Sequence, residues 1–173
     1  MLLICRIEEN TEKSVVKKLY SLSSDERRKK ADMISDNRKK AISLSAGLLQ
    51  RLLKEKYNFK YTSISHSGKL SACLGSNVPC GLDIEKISHK KRKLVERVCT
   101  KEELSAIDKS SSPDIEFIKF WTVKEASFKA GTGESLTDFF SQNKEIEEKK
   151  KEYTFETEIF EDYVITVCEK ILK

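Results

Sequence analysis

Between Cys80 and Glu85 the chain reads Cys-Gly-Leu-Asp-Ile-Glu, and this alternation constrains the architecture more than any other run. In a strand, alternate residues share a face, so Leu82 and Ile84 point one way and Asp83 and Glu85 the other. The apolar face calls for a core. The acidic face calls for a positive charge, because two carboxylates about 7 Å apart at their backbones repel one another. A hard divalent cation such as Mg²⁺ fills that need, since it binds through one or two carboxylates plus waters and phosphate oxygens. Taken alone, the same pair also suits a solvated edge strand.

Some forty residues later stands Trp121-Thr122-Val123-Lys124-Glu125-Ala126-Ser127-Phe128-Lys129. This segment reads as a helix, with Ser112 as N-cap, Pro113 at the first helical position, and Phe117, Phe120, Trp121 and Phe128 as its apolar side. Glu125 and Lys129 are four apart and share a face, with Trp121 a turn earlier. On its own such a pair is an ordinary surface ion pair worth little. Beside Asp83 and Glu85 it adds a third carboxylate and a lysine suited to a metal–phosphate site.

Elsewhere the grammar is that of small α+β units. Met1-Leu2-Leu3-Ile4-Cys5 stops at Arg6, too short for a signal-peptide core or a membrane span, and reads as a first strand. Ser23-Ser24-Asp25-Glu26 resembles a capping box before a short basic helix. From about Asp36 to Lys56, Ala41, Leu44, Leu48, Leu49, Leu52 and Leu53 recur at helical spacing. Strands follow near Ser71–Leu74 and Cys80–Glu85, with Gly75-Ser76-Asn77 as the turn between them. In the second half, Thr100-Lys101-Glu102-Glu103 is another capping box. The long helix comes next, then strands near Tyr153–Ile159 and Tyr163–Cys168 that turn at Glu161-Asp162. Helix-then-hairpin thus occurs twice, which predicts two halves, residues 1–86 and 87–173, of one α+β unit.

The 173 residues, 38% hydrophobic and 35% charged with two prolines and six glycines, fit one compact chain without a long linker. Five scattered cysteines without a Cys-x-x-Cys pair read as small buried thiols of a reducing, cytoplasmic environment. The net charge of +5 gathers in Arg27-Arg28-Lys29-Lys30, Arg38-Lys39-Lys40 and His89-Lys90-Lys91-Arg92-Lys93. Such runs are commonly solvated helix faces. A nucleic-acid partner is disfavoured, because no aromatic residues interleave with the basic runs and no zinc-finger, RNA-recognition or helix-turn-helix signature is present. A small polyanion with an acidic protein partner is the better match.

The strand and the helix together resemble the two signature motifs of the 4′-phosphopantetheinyl transferase superfamily. These are apolar-Gly-apolar-Asp-apolar-Glu, then Trp-(Ser/Thr/Cys)-x-Lys-Glu-(Ala/Ser)-x-x-Lys, and every position is filled here. Ile64-Ser65-His66-Ser67-Gly68 is similar to the Ser-His-Ser-Gly segment of the larger, surfactin-synthetase-activating type, and the chain resembles a shortened member of that type. The resemblance implies a pseudo-two-fold pair of α+β halves, each a helix packed on a small antiparallel sheet, with the active site between them. It also implies a monomer, rather than the trimer of the small acyl-carrier-protein synthase type.

The implied activity is transfer of the 4′-phosphopantetheine group of coenzyme A to a serine of an apo acyl or peptidyl carrier protein, releasing 3′,5′-ADP, away from membranes and nucleic acid. Asp83, Glu85 and Glu125 would hold Mg²⁺, with Mn²⁺ as the alternative, and Glu125 would also serve as base. Lys129 would lie on the pyrophosphate and Lys124 near it or near the adenosine phosphates. Ser65 and His66 would hold the 3′-phosphate, a role that two hydroxyls, an imidazole and a glycine turn suit chemically. Arg27 and Lys30 would reach the same phosphate. Two departures stand out: no Gly-Lys-Pro precedes Ile64, and the helix reads Lys40-Ala41-Ile42-Ser43 where the family often has Arg-x-Arg-Ser. They motivate an alternative, a catalytically impaired relative that still binds coenzyme A or a carrier.

Overall fold

A computed structural model describes residues 1–8, 11–132 and 151–172. The chain divides into two compact units, Met1–Asn77 and Val78–Lys173. In the first, strand β1 (Leu2–Arg6) leads into helices α1 (Lys13–Leu22), α2 (Asp25–Asp32) and α3 (Asn37–Glu55), then strands β2 (Tyr61–Ser67) and β3 (Leu70–Ser76). All pairings are antiparallel, in the order β1-β3-β2. The β2–β3 turn is tight, Ser67 opposing Leu70, with Gly68 at φ 56°, where glycine carries no steric penalty.

Local chemistry explains the helix ends. Ser23 is consumed by the end of α1, its N–H donating to the Tyr20 carbonyl and its hydroxyl to that of Leu19. The N-cap of α2 is therefore Ser24, not the Ser23 of the expected box, and its Oγ accepts from the Arg27 N–H. Asp36 caps α3 by accepting from the Lys39 N–H at 2.8 Å. Of the leucine run, Leu44 and Leu53 are fully buried while Leu52 stays exposed. Ala31, Ala41, Ile42 and Leu44 join Ile7 and Val16 in this unit's core.

The second unit repeats the plan. Strand β4 (Cys80–Lys86) precedes α4 (Arg92–Val98), α5 (Lys101–Lys109) and α6 (Pro113–Ser127), which runs into a π-helical turn, Phe128–Thr132. The hairpin of β5 (Tyr153–Phe160) and β6 (Tyr163–Lys170) completes an antiparallel sheet ordered β4-β6-β5. Among the described residues of both units, the opening strand is at an edge and the final strand is central. The molecule is α+β, as the sequence predicts. Thr100 and Glu103 form the reciprocal capping box of α5, and Ser112 with Pro113 opens α6.

One expectation shifts. Residues 75–77 do not turn a hairpin, and β4 belongs with the second unit rather than with residues 1–86. The register gives the reason: Leu82 and Ile84 lie opposite Val167 and Ile165, which extends one apolar face across the sheet.

Gly81 permits the close approach of β4 to α6. A β-carbon there would stand 1.8 Å from the Ala126 carbonyl oxygen and 2.9 Å from the Ala130 nitrogen. Both are backbone atoms, so a side chain must push strand and helix apart. We expect Gly81→Ala to cost about 1–3 kcal/mol in urea unfolding. A loss within about 0.5 kcal/mol, the range of ordinary surface changes, would contradict this packing.

Candidate functional site

Because Gly81 faces α6, strand alternation turns Asp83 and Glu85 to the same side. There the Lys129 ammonium, on the π-helical turn, donates to Asp83 Oδ1 at 2.7 Å. Asp83 is only 3% exposed, so its charge sits where ion pairs are weakly screened. Directly opposite Asp83 on β6 is Thr166, whose hydroxyl shares hydrogen bonds with Thr122 of α6 at 2.8 Å and Thr157 of β5 at 2.9 Å. The sequence reading passed over these threonines. Thr122 lies inside the helix motif, but Thr166, the side chain its hydroxyl meets, is 44 residues away and leaves no local signal.

Glu125 completes the acidic side. Burial pushes its carboxyl pKa above the ordinary range, and Asp83 and then Glu85 push the same way against the Lys129 charge. Glu125 therefore senses Asp83, Glu85 and Lys129 electrostatically. No three His, Cys, Asp or Glu side chains among the described residues are gathered into a ready metal cage. The donor chemistry nevertheless fits a hard divalent ion: the candidate ligands are carboxylates, and their mutual repulsion marks a place for positive charge.

Lys124 departs from expectation. It is 3% exposed, and its ammonium donates to the Val98 carbonyl at 2.6 Å and to Glu103 Oε2 at 2.7 Å. The same oxygen accepts from the Thr100 N–H at 2.8 Å. Lys124 thus ties α6 to the ends of α4 and α5 rather than turning to a phosphate. The spacing of residues 124 and 125 explains it, since neighbours on a helix face different ways.

The other predicted phosphate ligands separate as well. His66 is exposed and lines a cavity of about 620 Å³ with Ser67, Gly68, Ser43, Arg38 and Lys39. Ser65, one residue before it, is buried and takes the opposite face of β2. Arg27 and Lys30 line another cavity, of about 510 Å³, with Arg51 and Lys54. Lys30 is paired there with Glu26 at 2.7 Å. Arg27 packs across Gly47, where a β-carbon would come within 2.5 Å of its Nε.

Burial raises the thiol pKa of Cys80 and Cys99 to about 11 and of Cys168 to about 12. At neutral pH these remain protonated, which suits packing and not nucleophilic attack. Much of the basic surface is spent on structure: Arg28 donates to the Tyr20 and Ser21 carbonyls, and Arg92 pairs with Glu96 and Asp108. No helix among the described residues is long and apolar enough to cross a membrane.

Comparison with known proteins places the same segment at the centre. The model of the 4′-phosphopantetheinyl transferase superfamily matches residues 79–168, just over half the chain. The match takes in β4 and all of α6. A curated relative, 4′-phosphopantetheinyl transferase gsp of Aneurinibacillus migulanus, is 31% identical over 122 residues, which is 61% of this chain and 50% of that protein. The chain therefore spans about half the length of that relative.

Proposed function

Since the chain belongs to the 4′-phosphopantetheinyl transferase superfamily, we propose that it transfers the phosphopantetheine arm of coenzyme A to a serine of an apo carrier protein. The serine oxygen attacks the phosphorus that bears the pantetheine arm. The bond from that phosphorus to the bridging oxygen breaks, 3′,5′-ADP leaves with the electron pair, and the serine proton passes to a base. The observation that carries the reading is the juxtaposition of buried Asp83, its Lys129 partner at 2.7 Å, and Glu125 with its raised pKa.

Each residue has a role in this reading. Glu125 is the base, because a carboxyl whose pKa burial and Asp83 raise takes a proton more readily than an ordinary one. Lys129 neutralises pyrophosphate oxygens, exchanging its Asp83 contact for the substrate's. Asp83, Glu85 and Glu125 would hold Mg²⁺ or Mn²⁺, which when bound offsets the negative charge of the pyrophosphate and its leaving group. His66 binds the nucleotide's 3′-phosphate. Lys124 takes no part, and its role is in packing.

The test is direct. Incubated with coenzyme A, Mg²⁺ and a panel of apo acyl and peptidyl carriers, the protein should add one phosphopantetheine to at least one carrier, seen in its intact mass. Coenzyme A binding without any mass gain would favour the impaired relative, and neither binding nor gain would remove the proposal. Sedimentation of the active protein as a monomer is expected on the same reading.

A further inference from the structure

Along α6 and the turn that continues it, Thr122 precedes Glu125 by one helical turn and Lys129 by two. Thr122 and Glu125 therefore share a face of the helix. Two polar ties fasten this stretch to one cross-strand row. Lys129 donates to Asp83 Oδ1 at 2.7 Å, and the Thr122 hydroxyl meets that of Thr166 at 2.8 Å. Asp83 and Thr166 are direct register partners on β4 and β6, so the ties land on neighbouring side chains. Glu125 lies between the two in sequence.

The hydroxyl bonds run in one direction, because each hydroxyl carries a single proton. Thr122 gives its own to the Lys119 carbonyl at 3.1 Å, so the bond at 2.8 Å takes its proton from Thr166. Thr166 in turn accepts from Thr157 of β5 at 2.9 Å. Thr122 and Thr166 are fully buried, whereas Thr157 is exposed. A bond of this kind adds little net stability, since an apolar side chain of the same shape would fill the same space. What it adds is direction. Apolar packing is non-directional, while a hydrogen bond weakens steeply as its angle closes. The Thr166 hydroxyl thus resists rotation of α6 over the sheet.

The geometry points to Thr166 as a positioning residue: by donating to Thr122, its hydroxyl holds the Glu125 face of α6 in register with Asp83. The role rests on the transfer reading above and deepens it. In that reading Lys129 leaves Asp83 for the pyrophosphate, which releases one of the two ties during the reaction. The Thr122–Thr166 bond takes no part in that exchange and keeps the helix in place when the other tie is gone. Its effect belongs to turnover and not to coenzyme A binding.

Two substitutions at residue 166 separate this role from a structural one, because they should rank oppositely in stability and in turnover. Thr166→Val keeps the shape and loses the hydroxyl. It should melt close to the parent, since Thr122 retains the Lys119 carbonyl and Thr157 can turn to water. Its kcat for carrier phosphopantetheinylation should nevertheless fall at least about tenfold, within what a misplacement of about 1 Å costs. Its KM for coenzyme A should stay within about twofold. Thr166→Ser keeps the hydroxyl and loses a buried methyl, so it should melt below Thr166→Val while its kcat stays within about threefold of the parent. Turnover that follows the melting order overturns the role. So does a Thr166→Val kcat equal to the parent's, or a loss confined to KM, and each of these leaves the transfer reading standing. A parent that modifies no carrier overturns the transfer reading and this role with it. Should Thr166→Val not fold, Thr122→Val breaks the same bond from the helix and carries the same kinetic expectation.

Discussion

Glu125→Gln, nearly isosteric, is expected to fold normally and to lower carrier phosphopantetheinylation at least about a hundredfold, the lower range for loss of general-base assistance. The accompanying stability change has a fixed sign. Burial first, then Asp83 and Glu85, raise the folded-state pKa of Glu125, while Lys129 pulls it down. An acid with a raised folded pKa binds protons more readily folded than unfolded. Stability is therefore lost as pH climbs from the unfolded carboxyl value, about 4.3, through the folded one. The glutamine has no such loss. At pH 7 the variant should melt at or above the parent, and the gap should close below about pH 4, where both side chains are neutral. A variant that turns over like the parent would place the base elsewhere. One that melts lower at pH 7 would show that Glu125 has a stabilising partner.

Lys124→Met should leave chemistry nearly intact but cost about 3 kcal/mol or more of stability. Its side chain is 4% exposed and that of Glu103 is 14%, so removing the ammonium strands a largely buried carboxylate. The Thr100 N–H still donates to that carboxylate, which keeps the loss toward the lower end. The Val98 carbonyl also loses its donor, although other polar groups can approach a helix end. Adding Glu103→Gln should restore part of the stability, because the stranded charge goes with it. Urea unfolding of both single variants and the double variant measures the coupling. Additive losses would mean the two side chains act independently. A raised KM for coenzyme A with unchanged stability would return Lys124 to the phosphates.

What the sequence made legible was what neighbouring residues decide. The box at Thr100 and Glu103, the Ser112-Pro113 start and the Glu161-Asp162 turn each involve positions within four residues, and all three are present. The motifs put Lys129 on a pyrophosphate, and its bond to Asp83 is visible only in the fold. Illegible features depended on partners far along the chain. Nothing near residue 80 announces that β4 will pair with residues 163–170, and nothing near Lys124 points to Glu103. Ser23 and Ser24 were equally good caps until α1 claimed the first. Arg38 looked like one charge in a solvated run. Only the fold reveals the cavity it lines.

The placement of the last strand at the centre of each sheet bears on how the chain is made. Synthesis proceeds from the N-terminus, and β1 has its central partner β3 once residue 76 is complete. The second sheet waits longer. Among the described residues, β4 finds its ladder partner only when residues 163–170 follow, after α4, α5 and α6. Such non-local pairing is intrinsically slow and leaves strand edges open to neighbouring chains. The strand that presents Asp83 and Glu85 is thus among the last parts of the nascent protein to be secured. Its paired carboxylates add like charge to that open edge, a known safeguard against edge-to-edge association.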